Sequence, residues 1–238
     1  MRIFKIEIEF LILILSFILL SILAIFSNGY YEGADNISHY NISHFAFQHP
    51  RLFLDNWGKP FFTLLSSPFS QFGFKGIVFF NIICGILTSF FAFQIVKELK
   101  YTYSYLACVF VTFSQYYFMM HLTALTEILF GLMLVISIFL ALKNKYILSA
   151  ILLSFLPFVR NEGFMVFPFF FFYFISNKQY QKVTFMLTGF ITYSIIGYFY
   201  YNDFLWVIHL NPYMNSTYGN GSYFHFLNKL RSEERRVG

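Results

Sequence analysis

The sequence predicts an all-α membrane protein of about seven transmembrane helices, with a long first outer loop that carries short interfacial helices. Three observations carry that prediction. The 238-residue chain is 58% hydrophobic and 24% aromatic yet only 11% charged, a balance that no soluble core explains. Its charges fall between long apolar runs. Apart from Arg160, the Lys and Arg of the short connections fall on alternate ends of those runs, which places them on one side of a bilayer.

Each span is read as a stretch between charges, because an ionised side chain at mid-bilayer costs roughly 3 kcal/mol or more and ~20 residues cross the hydrocarbon. The uncharged stretches are 10–31, 76–96, 101–126, 128–142, 146–159, 163–177 and 183–202. The first follows Arg2 and Lys5, is long for a signal peptide and lacks a small-residue cleavage site, so it reads as a retained anchor. The fifth and sixth are short, and Pro157 and Pro168 kink them; the intervening "RNEG" is then expected in a protein-lined cavity. Residues 28–75 are too many for a simple turn. Within them "HFAFQHPRLFLDNW" and "FFTLLSSPFSQFG" read as amphipathic helices along the interface.

Arg2/Lys5, Lys97/Lys100, Lys143/Lys145 and Lys178/Lys182 mark the cytoplasmic side under the positive-inside rule. The formal charge of +5 is therefore explained by lipid headgroups rather than by nucleic acid. On the opposite side Glu32, Asp35, Lys59, His121, Glu127, Arg160 and Glu162 come out together, although they are scattered over more than a hundred residues. The 37 phenylalanines carry no functional weight, since A/T-rich base composition accounts for much of their excess. Cys84 and Cys108 lie in apolar runs without partners at metal-ligand spacing and read as small hydrophobes.

The chemistry-bearing groups admit two readings each. "EGAD" sets Glu32 and Asp35 three apart, on one helical face, where like charges in a dehydrated cleft turn a carboxylate into a base; ordinary loop acids are the plain reading. "WGKP" puts Lys59 where its ammonium meets a phosphate, or where it snorkels to the headgroups. Arg160 in "VRNEG" either pairs with Glu127 or Glu162 or holds a phosphate with its planar fork. His121, Glu127, Glu162 and Tyr40 are candidate substrate contacts. His39, His44 and His49 recur every five residues, a spacing that does not read as a metal site. N-x-[ST] triplets at Asn36, Asn41, Asn215 and Asn220 are expected by chance in an Asn- and Ser-rich chain, and there is no Walker loop, GxGxxG, GxSxG or HExxH.

The order of features, one span, then "EGADNISHY", then "HPRLFLDNWGKPFFTLLSSPFSQFG", later "TEILFGLMLVISIFLALKNKYILSAILLSFLPFVRNEGFMVFPFFFFYF" and "NPYMNSTYGNGSYFHF", resembles the GT-C class of integral-membrane glycosyltransferases. The similarity is to the bacterial branch related to protein O-mannosyltransferases and lipid A aminoarabinose transferases, and it extends over nearly all of residues 1–230. The resemblance implies transfer of a sugar from a polyprenyl-phosphate donor to a hydroxyl on a glycan, lipid or protein, with inversion, in the bacterial inner membrane. It implies a cytoplasmic N-terminus and a periplasmic site. Asp35 falls where the class keeps its catalytic acid, with Glu32 beside it; Lys59 and Pro60 match the Lys-Pro element, and Arg160 the basic residue of the middle turn. The E-x-x-D spacing departs from the usual adjacent, D-x-D or E-x-D acids, so the resemblance does not choose between Glu32 and Asp35. The residues single out no cofactor, and the class admits a divalent cation bridging acid and phosphate.

Residues 1–205 are accordingly expected to form a transmembrane catalytic module and 206–230 to open a later outer segment, while "RSEERRVG" at 231–238 reads as the translation of a sequencing adapter. The class's C-terminal half is expected beyond this sequence. Two rivals share the many-span pattern. A lipid-linked polysaccharide polymerase or ligase relies on basic residues in later outer loops, and a transporter places ionisable groups near the midplane, often in repeated halves.

Overall fold

The structure, a computed structural model, describes residues 7–27 and 33–210, and among them every regular element is helical. Glu32, the sequons at Asn215 and Asn220, and the 231–238 tail lie outside the described residues. Three helical stretches are long and apolar enough to cross a membrane: Ile8–Phe26, Phe74–Glu98 and Tyr180–Tyr201. Three further apolar helices are shorter: Glu127–Leu142, Tyr146–Phe158 and Gly163–Ser176. This is a membrane protein.

Helix α1 (Ile8–Phe26) shows why. Glu9, Leu13, Ser16, Leu20 and Ala24, spaced three and four apart, form its one buried stripe. Phe10, Leu11, Ile14, Leu15, Ile18, Ile22 and Ile25 stay exposed on the remaining surface. A helix apolar all round has lipid rather than water as its solvent.

After α1 come α2 (Ala34–Phe45), which lies largely ahead of the segments expected to be helical, then only a 3-10 turn at Pro50–Leu54 within "HFAFQHPRLFLDNW", and α3 (Pro60–Ser70), which matches "FFTLLSSPFSQFG". Then α4 (Phe74–Glu98) runs through the centre, packed on α1, α3, α5 and α7. The uncharged stretch 101–126 is not one helix. It divides into α5 (Leu106–Phe113) and α6 (Gln115–Met120), with Ser114 extended between them at ψ 130°. Helix α7 (Glu127–Leu142) follows, then α8 (Tyr146–Ser154) with a 3-10 turn at Leu156–Phe158, and α9 (Gly163–Ser176). The chain returns through a 3-10 stretch at Tyr180–Leu187 into α10 (Thr188–Tyr201) and the short α11 (Trp206–His209).

Helices α4 and α7 are parallel, and two polar contacts fix their register. Near the start of α4, Asn81 Nδ2 donates to the Thr123 and Leu125 carbonyls at 2.7 and 2.9 Å. At the far end Glu98 pairs with Lys143. The 121–126 turn and the start of α7 therefore share one end of the bundle with the start of α4, and Lys97 and Lys143 sit at the other. Between the ends small and hydroxyl side chains let helices approach closely: Ser149 Oγ donates to the Ser137 carbonyl at 2.7 Å, and Ser89 and Thr112 hydroxyls meet at 2.8 Å. Cys84 and Cys108 are buried free thiols among these contacts.

The "RNEG" turn is shaped by Gly163. A Cβ there would lie 2.5 Å from the backbone of Leu156 and of Pro157, atoms that cannot swing aside. Alanine at 163 is expected to destabilise the fold by about 1–3 kcal/mol through overpacking. Alanine at 33, where nothing lies within 4 Å, is the control. Thermal unfolding in detergent checks this: equal midpoints for the two variants would contradict the close approach.

Candidate functional site

The buried stripe of α2 is polar, which is unusual for a short helix packed on a membrane bundle. Asn36, His39 and Ser43 face inward, with Asp35 in the first turn beside them. Two of these groups are hydrogen-bonded to neighbouring segments. Asn36 Oδ1 accepts from the Ala124 backbone N–H at 2.6 Å, and Ser43 and Ser66 hydroxyls meet at 2.7 Å. The sequon asparagine at 36 is thus fully buried and is no glycosylation acceptor. The bond to Ala124 ties α2 to the turn that opens α7, and so brings Asp35 toward Glu127.

Lys59 reaches the same place from the start of α3. Its backbone sits at φ 65°, ψ 102°, at a positive φ outside the regions an L-residue prefers and unusual before a proline, which favours extended geometry. The surroundings hold it there. Asp55 Oδ1 accepts from Gly58 N–H at 2.6 Å, Thr63 Oγ1 donates to the Gly58 carbonyl at 3.0 Å, and Thr63 N–H donates to the Lys59 carbonyl at 2.8 Å. Strain of this kind collects at functional positions. The ammonium donates to Asn161 Oδ1 at 3.0 Å, and Lys59 is only 8% exposed. Burial is the main cause that pulls its pKa down to about 8, against the opposing pull of Glu162; Arg160 lowers it further.

Arg160 comes from the turn between α8 and α9. Its guanidinium pairs with Glu127 at the start of α7 and with Glu162 Oε1 at 2.7 Å. Burial works against its charge, but the hydrogen bond it donates to Glu162 and the two carboxylates outweigh it and raise its pKa. The Arg160 hydrogen bond holds the Glu162 carboxyl below its ordinary value. Arg160 therefore does have the ion-pair partners the sequence offered it.

Asp35, Lys59, Glu127, Arg160 and Glu162 line one cavity of about 230 Å³, together with His39, Trp57, Leu125, Thr126 and Asn161. Five sequence-selected residues from four separate segments of the chain meet there. Tyr40 and His121 do not. Tyr40 packs edge-on against Phe74 at 5.6 Å. His121 is fully buried, its Nδ1 2.7 Å from the Tyr117 carbonyl, and its ring fills the groove left by Gly85, where a Cβ would come within 2.0 Å of Nε2. It packs helices and does not face the cavity. Sequence reasoning missed His39, Trp57 and Asn161 as lining residues; the usable signal was the i, i+4 spacing of Asp35 and His39.

A second cavity, of about 180 Å³, adjoins the first. Lys59 and Asn161 belong to both, and Pro60, Pro157, Phe158, Phe164, Phe190, Val207 and Ile208 make most of its wall. A polar chamber and an apolar one thus meet at the Lys59–Asn161 hydrogen bond.

Among the described residues no group of three or more His, Cys, Asp or Glu side chains is placed to hold a metal ion. Of the three carboxylates among the described residues that line the cavity, Glu127 and Glu162 pair with Arg160. Comparison of the chain with protein-family models, curated proteins and solved structures returns no match.

Proposed function

We propose that this protein is a membrane glycosyltransferase of the GT-C type, which moves a hexose from a polyprenyl-phosphate donor to a hydroxyl of a glycan, lipid or protein. One observation carries the reading: a carboxylate, a desolvated lysine and an arginine line a polar cavity that shares Lys59 and Asn161 with an apolar one. An amphiphile with a phosphate at the junction of an apolar tail and a sugar has that distribution of polarity.

In this reading the phosphate sits at Lys59, whose charged form burial disfavours and an anion would favour. Asp35 takes the proton of the acceptor hydroxyl as its oxygen attacks the anomeric carbon. The bond from that carbon to the phosphate oxygen breaks with inversion, and the phosphate leaves with the electron pair. Lys59 stabilises the charge that grows on the leaving oxygen, where preorganised donors contribute most. Arg160, already bound to Glu127 and Glu162, holds the 126–127 and 160–162 segments in place and offers its remaining donors to the phosphate.

The same reading takes all seven apolar stretches as crossings of a bacterial inner membrane, with the N-terminus cytoplasmic and the cavity periplasmic. The clustering of the cavity groups at one bundle end and of the Glu98–Lys143 pair at the other supports that sidedness. The test is transfer itself. Membranes holding the full-length protein are expected to move labelled hexose from polyprenyl phosphate to an acceptor with inverted configuration. Absence of transfer, with the donor intact and the protein folded, rejects the assignment.

A further inference from the structure

His39 is a buried titratable group that the mechanism above does not use. It lies one helical turn after Asp35 on α2 and lines the same cavity. The residue is 8% exposed, and its Nδ1 is buried without a hydrogen-bond partner. The opposite edge of the site is well fixed: the ring packs edge-on against Phe62 at 5.5 Å, and the Gly58 backbone is within hydrogen-bonding reach of it. Because Nδ1 has no partner, it is Nε2 that faces the Gly58 backbone, and the neutral ring is assigned its proton there. Nδ1 is left with a lone pair. A buried acceptor without a donor is costly, and native structures rarely keep one without a use.

The groups around the ring keep it neutral or charged by competition. Asp35 on its own helix and Glu127 at the start of α7 favour the imidazolium, while Lys59 at the start of α3 and burial, the largest influence, oppose it and lower the pKa. The neutral ring accepts at Nδ1; the imidazolium would donate there and would add a cation beside Lys59.

From this geometry we infer that His39 is a sugar-binding residue of the cavity, whose Nδ1 accepts a hydrogen bond from a hydroxyl of a hexose placed between Asp35 and Lys59. The inference rests on the glycosyltransferase reading and deepens it, because it gives the sugar a contact separate from those of the phosphate. The hexose is either the one carried by the donor or one on a glycan acceptor, and the two sources are separable.

The experiment compares wild type with His39→Phe, which keeps the ring and the packing on Phe62 but removes the acceptor, and with His39→Asn, whose Oδ1 restores an acceptor near the Nδ1 position. Full-length protein in nanodiscs is titrated with short-chain prenyl phosphate and with prenyl-phosphate hexose, and then, preloaded with prenyl phosphate, with a methyl hexoside. A donor-borne sugar predicts that His39→Phe loses about tenfold in affinity for prenyl-phosphate hexose, stays within about twofold for bare prenyl phosphate, and is rescued by His39→Asn. An acceptor sugar predicts the same loss and rescue for the methyl hexoside alone. Equal loss for bare prenyl phosphate, or no loss for either sugar probe, overturns the inference. A wild type that binds no prenyl phosphate at all instead defeats the underlying functional reading.

Discussion

Asp35→Asn is expected to lower kcat for sugar transfer by about 100-fold to 10,000-fold, the usual contribution of a general base, while leaving the protein folded. Asparagine has the same shape and is well tolerated at the start of a helix, which is where residue 35 lies on α2. The more informative expectation concerns the donor. A carboxylate lining the cavity that receives a phosphate repels it in the ground state, so the neutral variant should bind prenyl-phosphate hexose as tightly as wild type or more tightly. A fall in kcat without a rise in donor Kd separates lost chemistry from lost binding. Steady-state rates in membranes and donor titration in nanodiscs make the measurement, with Glu32→Gln run beside it because the sequence offers both acids. Full turnover by both variants would remove the base from the mechanism.

How far the site could be read from sequence depends on which force places each residue. Charges are excluded from hydrocarbon, so their positions between apolar runs already sort Asp35, Lys59, Glu127, Arg160 and Glu162 to one end of the bundle; no packing detail is needed. The same exclusion marks the apolar runs that become α4 and α7. It is silent where no charge stands. The stretch 101–126 is uncharged throughout, yet it breaks at Ser114, because nothing in its hydropathy records where α5 stops packing against α4 and α6 begins.

Residues selected for polarity alone also go astray. His121 is polar and near a helix end, but its ring fills space left by Gly85, a match of shapes between residues far apart in sequence that no local pattern announces. His39 is the converse. Its five-residue repeat with His44 and His49 argues against a metal site, and that argument diverts attention from the four-residue step to Asp35 that puts both on the cavity. Asn161 and Trp57 enter only because the 160–162 turn meets the segment before α3, a contact across about a hundred residues.

The pH dependence of transfer is expected to turn on Lys59. In the folded protein this group loses its proton near pH 8, well below an ordinary lysine, chiefly because burial disfavours the ammonium. For donor capture the sign is direct: the cation that holds the phosphate is present below about pH 8 and lost above it, so kcat/KM, which reports the free enzyme, should fall as pH rises through 8. The limb in kcat should lie higher, since a bound phosphate favours the charged form. For stability the sign is opposite. Between about pH 8 and the ordinary lysine range the unfolded chain binds a proton that the folded chain has released, so folding becomes more favourable with rising pH across that window. The full desolvation penalty, on the order of 3 kcal/mol, applies only below it. Lys59→Arg keeps the charge to far higher pH and should flatten the alkaline fall in kcat/KM, even if the bulkier head lowers its plateau. Lys59→Gly separates the two roles of the position. Glycine accepts φ 65° without strain and removes a buried charge, so the variant should unfold at a higher temperature than wild type at pH 7 while losing donor binding. An alkaline limb that stays at pH 8 in Lys59→Arg would show that another group controls it. A Lys59→Gly protein less stable than wild type would show that the side chain, and not the donor, is what the strained backbone supports.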